Sequence, residues 1–182
     1  MRPKHPLTTI LLGLSIVLGN SNSGPSQAAN PLPLNPPQKI SQSQTKIKVF
    51  FPNPSKNTNN LNYVEPVFRT TTNKTVAEFA IQQLIIGPNA SEKSKGLVAP
   101  IKLHGNSNCG KDFKISIVKN IAKIQFCRSI ISAGIGDDVR VKSSIESTLK
   151  QFSTVKSVII LTNKGDCFGD MSGENFCLKK PQ

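Results

Sequence analysis

The chain has 182 residues and carries 23 Lys and Arg against 10 Asp and Glu, a net charge of +13. That length holds one domain with a real core and excludes two of ordinary size. A single Tyr, no Trp and no basic run longer than Lys179-Lys180 argue against a nucleic-acid platform, which needs aromatic rings beside its positive charge.

The N-terminus has the anatomy of a secretory leader. Arg2 and Lys4 precede an uncharged, mostly apolar run, Leu7 to Leu18, and a small polar stretch ends in Ser26-Gln27-Ala28-Ala29. A core this short does not cross a hydrocarbon layer, which takes about 20 residues. A cleaved signal peptide over residues 1–28 is expected, with Ser26 at −3 and Ala28 at −1. No cysteine lies there to be lipidated. The expected location is therefore extracytoplasmic, secreted or periplasmic, and not as a lipoprotein. Arg2 and Lys4 leave with the leader and no acid does, so +13 falls to +11. Such a charge favours anionic wall polymer or a lipid surface as partner.

Residues 29–45, with four prolines and a Ser/Gln tail, form an extended tether in this reading. The domain is expected over residues 46–180. Lys46 to Phe51 alternates and is rich in strand formers, and Asn62 to Arg69 reads as a second strand, confined by Pro66 to an edge or a bulge. Thr75 and Glu78 have capping-box spacing ahead of a helix whose apolar face is Val76, Ala77, Ala80, Ile81, Leu84 and Ile85. Gly87 and Pro88 stop it. Ser91 to Lys95 has room for one more turn, and Val98 to His104, broken by Pro100, is expected to be irregular.

The middle predicts a hairpin turning on Lys119-Asn120. That register sets Phe113 against Phe126, Ile115 against Ile124 and Ile117 against Ala122, and a slip of one residue would ruin the match. Its other face carries Lys114, Ser116, Lys123 and Gln125, a solvated side and the candidate contact face. A helix starting near Asp137 or Asp138 follows, with Val141, Ile145, Leu149 and Phe152 as its core stripe. Val155 to Leu161 is the most strand-like run and is expected at the centre of the sheet.

Cys109, Cys127, Cys167 and Cys177 make an even count in an exported chain, which predicts disulfides. Of three possible connectivities the sequence favours Cys109–Cys127 with Cys167–Cys177. Zinc fits poorly, since no C-x-x-C pair occurs and His104 is the only histidine beyond the leader. No metal and no cofactor are expected.

The order strand, strand, helix, hairpin, helix, strand resembles the GerMN domain of sporulation and spore germination proteins. Val49-Phe50-Phe51-Pro52, Val64 to Arg69, Leu84 to Pro88, Gly96-Leu97, Pro100, Ile145 to Ile159 and Gly165 carry the resemblance, which covers about 120 residues. Lys119-Asn120 replaces the family's usual Asp-Gly turn, and the four cysteines look like an elaboration of a subgroup. The resemblance implies an α+β fold, two main helices packed on a mixed or antiparallel sheet as in ring-building modules, and it carries no catalytic residues. Gly87, Pro88 and Arg69 are family-like positions with structural roles expected for each: cap, stop and sheet-edge charge.

Function is then expected to be non-enzymatic: an extracytoplasmic protein-interaction module, part of an envelope assembly with envelope proteins as partners. The alternative is a basic protein associating with anionic wall polymer or a membrane surface. An enzyme lacks support, because His104 lies in a loop-like His-Gly-Asn-Ser-Asn run without a nucleophile frame. Asp137-Asp138 fits a helix start better than acid–base work.

Overall fold

The computed structural model describes residues 43–56 and 58–179. The expected leader, the tether as far as residue 42 and Lys180 lie outside the described residues.

Alternation builds the first hairpin. In β1 (Thr45–Pro52), Ile47, Val49 and Phe51 turn inward and are buried, and the strand pairs antiparallel with β2 (Val64–Thr71). Pro66 stands opposite Phe50, whose N–H points away from β2 to the hydroxyl of Thr148, 3.0 Å away. At such a position the partner's nitrogen also faces outward, so Pro66 costs no ladder bond. The outward edge of β1 is closed by α3 (Ile135–Lys150) and the residue after it. Beside the Thr148 bond, the Gln151 amide accepts from Lys48 N and donates to Lys48 O at 2.8 and 2.6 Å.

The first main helix, α1 (Val76–Ile86), buries Ala80, Ile81 and Leu84. The capping box expected at its start is absent: Thr75 makes no side-chain cap bond, and Glu78 pairs with Lys111 at 3.6 Å. The box sits at the next helix instead. In α2 (Ala90–Ser94), Asn89 Oδ1 accepts from Glu92 N at 2.9 Å while Glu92 Oε2 accepts from Asn89 N at 2.8 Å. The run expected to be irregular contains a two-residue strand, β3 (Leu103–His104), paired antiparallel with β6 (Ser129–Ile130).

The central hairpin joins β4 (Phe113–Val118) to β5 (Ile121–Phe126) in the register argued from apolar matching. Lys119 and Asn120 both have positive φ, 48° and 64°, as a two-residue hairpin turn with right-handed strand twist requires. Strand β7 (Ser157–Leu161) pairs parallel with β5, giving the order β4-β5-β7. The expected central strand is thus terminal, and β5 is central. The outer side of β7 is covered by the segment that follows: Leu161 bridges to Cys167, and Phe168 N donates to Ile160 O at 2.8 Å. A continuous hydrophobic run such as Val158 to Leu161 marks cover on both sides, which a folded-back loop supplies as well as a strand.

Helix α3 packs against β1, α1 and β7. It begins two residues before Asp137, with Gly134 as cap, and Asp137 Oδ2 accepts from Ala133 N at 3.0 Å. Val141, Ile145 and Leu149 are buried; Phe152 lies beyond the helix end and only partly inside. The result is a mixed α+β fold in which the sheet is divided into three small pieces around one core.

Cys109 is bonded to Cys127 and Cys167 to Cys177, leaving no free cysteine among the described residues. The second bridge closes a short loop that ends in α4 (Phe176–Lys179). Replacing Cys167 and Cys177 together by serine is expected to lower stability by about 2–3 kcal/mol in the chain-entropy account. Urea unfolding of the two oxidised proteins measures it, and equal midpoints would refute the estimate.

Candidate interaction surfaces

Register places the four candidate contact residues together. Lys114 faces Gln125 and Ser116 faces Lys123 across the β4–β5 ladder. Lys114, Ser116 and Lys123 are exposed and Gln125 is half-buried. Neither lysine has a carboxylate partner among the described residues, and Val118 beside them is 63% exposed.

A second surface gives no signal in the sequence. Three loops meet above the N-terminal turns of α3 and form a groove of about 380 Å³ lined by Pro54, Val98, Pro100, Ile131 and Arg140. A smaller depression of about 150 Å³ continues it past Pro54 and Arg140 to Leu61 and Tyr63. Backbone bonds hold the walls: Val98 N donates to Pro52 O and Ile131 N to Lys102 O, at 3.0 and 2.8 Å. Arg140 is fixed by Asp137 at 2.9 Å, which orients its guanidinium at the groove. Leu61, Val98 and Ile131 are 40%, 41% and 53% exposed. Burying such side chains against a partner is favourable by about 25 cal/mol per Å² of apolar surface.

Beneath these loops lies a buried polar knot. Asn53, only 1% exposed, donates through Nδ2 to Glu65 Oε1 and to Lys95 O, each at 3.1 Å, and accepts from Ser55 Oγ at 2.6 Å. Glu65 also takes hydrogen bonds from Lys56 and Tyr63. Burial pushes the Glu65 carboxyl up, yet the donors of Lys56, Tyr63 and Asn53 together hold it below its ordinary value. Arg69 lies on β2, an edge strand, but it is more than an exposed edge charge. It turns inward to grip Glu92 with two bonds of 2.7 Å and reaches Gln83 Oε1 at 3.3 Å, tying β2 to both α1 and α2. That grip, working against burial, holds the Glu92 carboxyl below its ordinary value.

His104 is exposed in β3, and among the described residues no reactive side chain bonds to it. Among the described residues no cluster of His, Cys, Asp and Glu is arranged to hold a metal ion, and no helix is long and apolar enough to cross a membrane. Lys102 and Asp137 also line the groove, and Asp137 is taken up by Arg140 and by Ala133 N. The surface thus offers mainly prolines, apolar side chains and a clamped arginine, a lining suited to binding.

These features define a small α+β domain with a divided sheet, two main helices and solvent-facing apolar and basic surfaces. The chain belongs to the Germane family, sporulation and spore germination, whose model matches residues 48–164. Among solved structures it is similar to the tandem GerMN domains of the sporulation protein GerM from Bacillus subtilis, with 21% identity and a TM-score of 0.43. That match covers 72% of this chain and 46% of the other, so the chain spans under half of the tandem structure. It is similar also to the first GerMN domain of that protein, with 17% identity, a TM-score of 0.42, and coverage of 65% of this chain and 83% of that one. No curated protein matches the chain.

Proposed function

We propose that the domain is a non-catalytic protein-interaction module that works outside the cytoplasm as part of an envelope assembly. The apolar groove carries this reading. Val98, Ile131 and Leu61 stand in solvent around a fixed arginine, and the core makes no use of them. Clustered apolar side chains with a polar rim favour a protein partner over bulk water. Two disulfides support an oxidising compartment, and the leader anatomy supports export.

A second reading rests on Lys114 and Lys123, which face solvent without acids and suit an anionic wall polymer or lipid surface. Capture from envelope extract at low and high salt separates the two. A protein contact through the groove is expected to survive high salt and to fall at least tenfold in Ile131→Glu, on the scale of about 1.4 kcal/mol per tenfold. A polymer contact would vanish at high salt, as screening shortens to a few Å, and would fall with Lys114→Glu/Lys123→Glu instead. His104→Ala is expected to change neither stability nor capture. Loss of the cellular role in a folded His104→Ala protein would overturn the non-catalytic reading.

A further inference from the structure

The central hairpin leaves one side of its ladder open. Cys127 N donates to Asp112 O at 2.8 Å, which sets the parity: even-numbered residues of β4 bond to β5. The N–H and C=O groups of Phe113, Ile115 and Ile117 therefore point the other way, to the free edge. Among the described residues no strand pairs there. Edges of this kind are usually blunted by proline, a bulge, inward charge or a lysine. Of these β4 has only Lys114, on its outer face, which would repel a basic strand and admit an acidic one. Its end is instead apolar and exposed, with Ile117 at 37% and Val118 at 63%.

A groove of about 290 Å³ runs alongside, between β4 and the start of α1, lined by Val76, Ala77, Ile115 and Ile117 with Lys74 at its rim. A strand laid on the β4 edge would send alternate side chains to this side. Its other side chains would fall beside Lys114, with Lys123 one strand further across the same face, where β4 and β5 carry no acid. We propose that the β4 edge accepts an extended segment of a partner protein by strand addition, and that this segment alternates apolar and acidic residues. Backbone pairing gives the affinity, and the groove and the lysines set the pattern. A second copy of this chain is a poorer occupant: pairing β4 with β4 would gather Lys114 and Lys123 of both copies on one face with no carboxylate between them. The inference rests on reading the domain as an interaction module and names one kind of partner for it.

The probe is a synthetic octapeptide alternating valine and glutamate, tested against the exported, oxidised protein by fluorescence anisotropy. Methylating the glutamate-side or valine-side backbone nitrogens in turn removes one row of N–H donors and leaves every charge in place. The expected results are saturable binding, a loss of at least about tenfold for one methylated series, and a similar loss in Lys114→Glu/Lys123→Glu. Ile117→Pro removes an edge donor without touching the β5 ladder and is expected to weaken binding as much; the peptide series stands even if that variant does not fold. Equal binding by both methylated peptides, equal binding by a valine–lysine octapeptide, or no binding at all would overturn the proposal. So would a protein dimer that Ile117→Pro dissolves and the peptide does not. If the peptide fails while Ile131→Glu still abolishes capture, the edge is excluded and the interaction module stands.

Discussion

Arg69→Met is expected to destabilise the domain by about 3 kcal/mol, because it leaves Glu92 charged, mostly enclosed and with only the Asn89 N–H as its hydrogen-bond donor. The side chains of Arg69 and Glu92 are 17% and 13% exposed, and two bonds of 2.7 Å join them in a fork. Removing one partner of such a pair costs about 3–5 kcal/mol, and the residual exposure places this one at the low end. Adding Glu92→Gln should recover much of the loss, since the amide can still accept from Asn89 N. Urea unfolding of the wild type, Arg69→Met, Glu92→Gln and the double variant gives the cycle. A double variant no more stable than Arg69→Met would show that the charge is not the cause. The pH dependence follows from the lowered Glu92 pKa. A carboxyl held below its unfolded value stabilises fully above that value, ordinarily 4.5, and loses its contribution as pH falls through the lower folded one. Wild-type stability should therefore drop more steeply below about pH 4.5 than that of the double variant.

Gly96→Ala should cost about 3 kcal/mol, from strain and from collision together. At φ +90° an L side chain pays about 1–2 kcal/mol. A Cβ there would also lie 2.7 Å from Asn53 Oδ1 and against Ser55 Oγ. Asn53 cannot retreat, being held by Glu65 and by the carbonyl of Lys95, so the Ser55–Asn53 bond must break. A buried polar group left without its partner adds about 1–3 kcal/mol. Gly105→Ala is the control: its φ is +77°, but nothing lies within 4 Å of the added carbon. Thermal unfolding should show Gly96→Ala well below Gly105→Ala. Equal midpoints would mean that conformation alone governs both sites.

The hairpin was legible because a two-residue turn and three apolar pairs admit one register. The stripe Val141, Ile145 and Leu149 was legible because helical spacing maps directly onto burial. Strand β2 was legible as an edge strand, but its inner face was not, since it inverts the usual pattern. Glu65 and Arg69 face inward, where they find Asn53 and Glu92, while Phe68 points to solvent at 55% exposure under the Lys46 ammonium, 4.1 Å from its ring. Periodicity reports which residues share a face, and only tertiary partners decide which face is inside. The capping box was misplaced for a similar reason. Thr75 and Glu78 have the right spacing, but Lys111 takes the glutamate, and Asn89-Ala90-Ser91-Glu92 satisfies the same geometry one element later. The groove around Arg140 left no trace because it is made by three loops far apart in the chain. Pro52, Gly96-Leu97 and Pro100, which carry the family resemblance, lie in or beside two of them.

The clasp between β1 and the end of α3 has a bearing on the order of folding. Lys48 and Phe50 are fixed by groups 103 and 98 residues further along the chain. Synthesis delivers these amides early and their acceptors late, so the first strand waits, with one flank bare, until the C-terminal third has arrived. Long closures of this kind slow folding more than they weaken the finished molecule. A chain truncated before Thr148 would keep every residue of β1 and β2 and still lack the means to hold them.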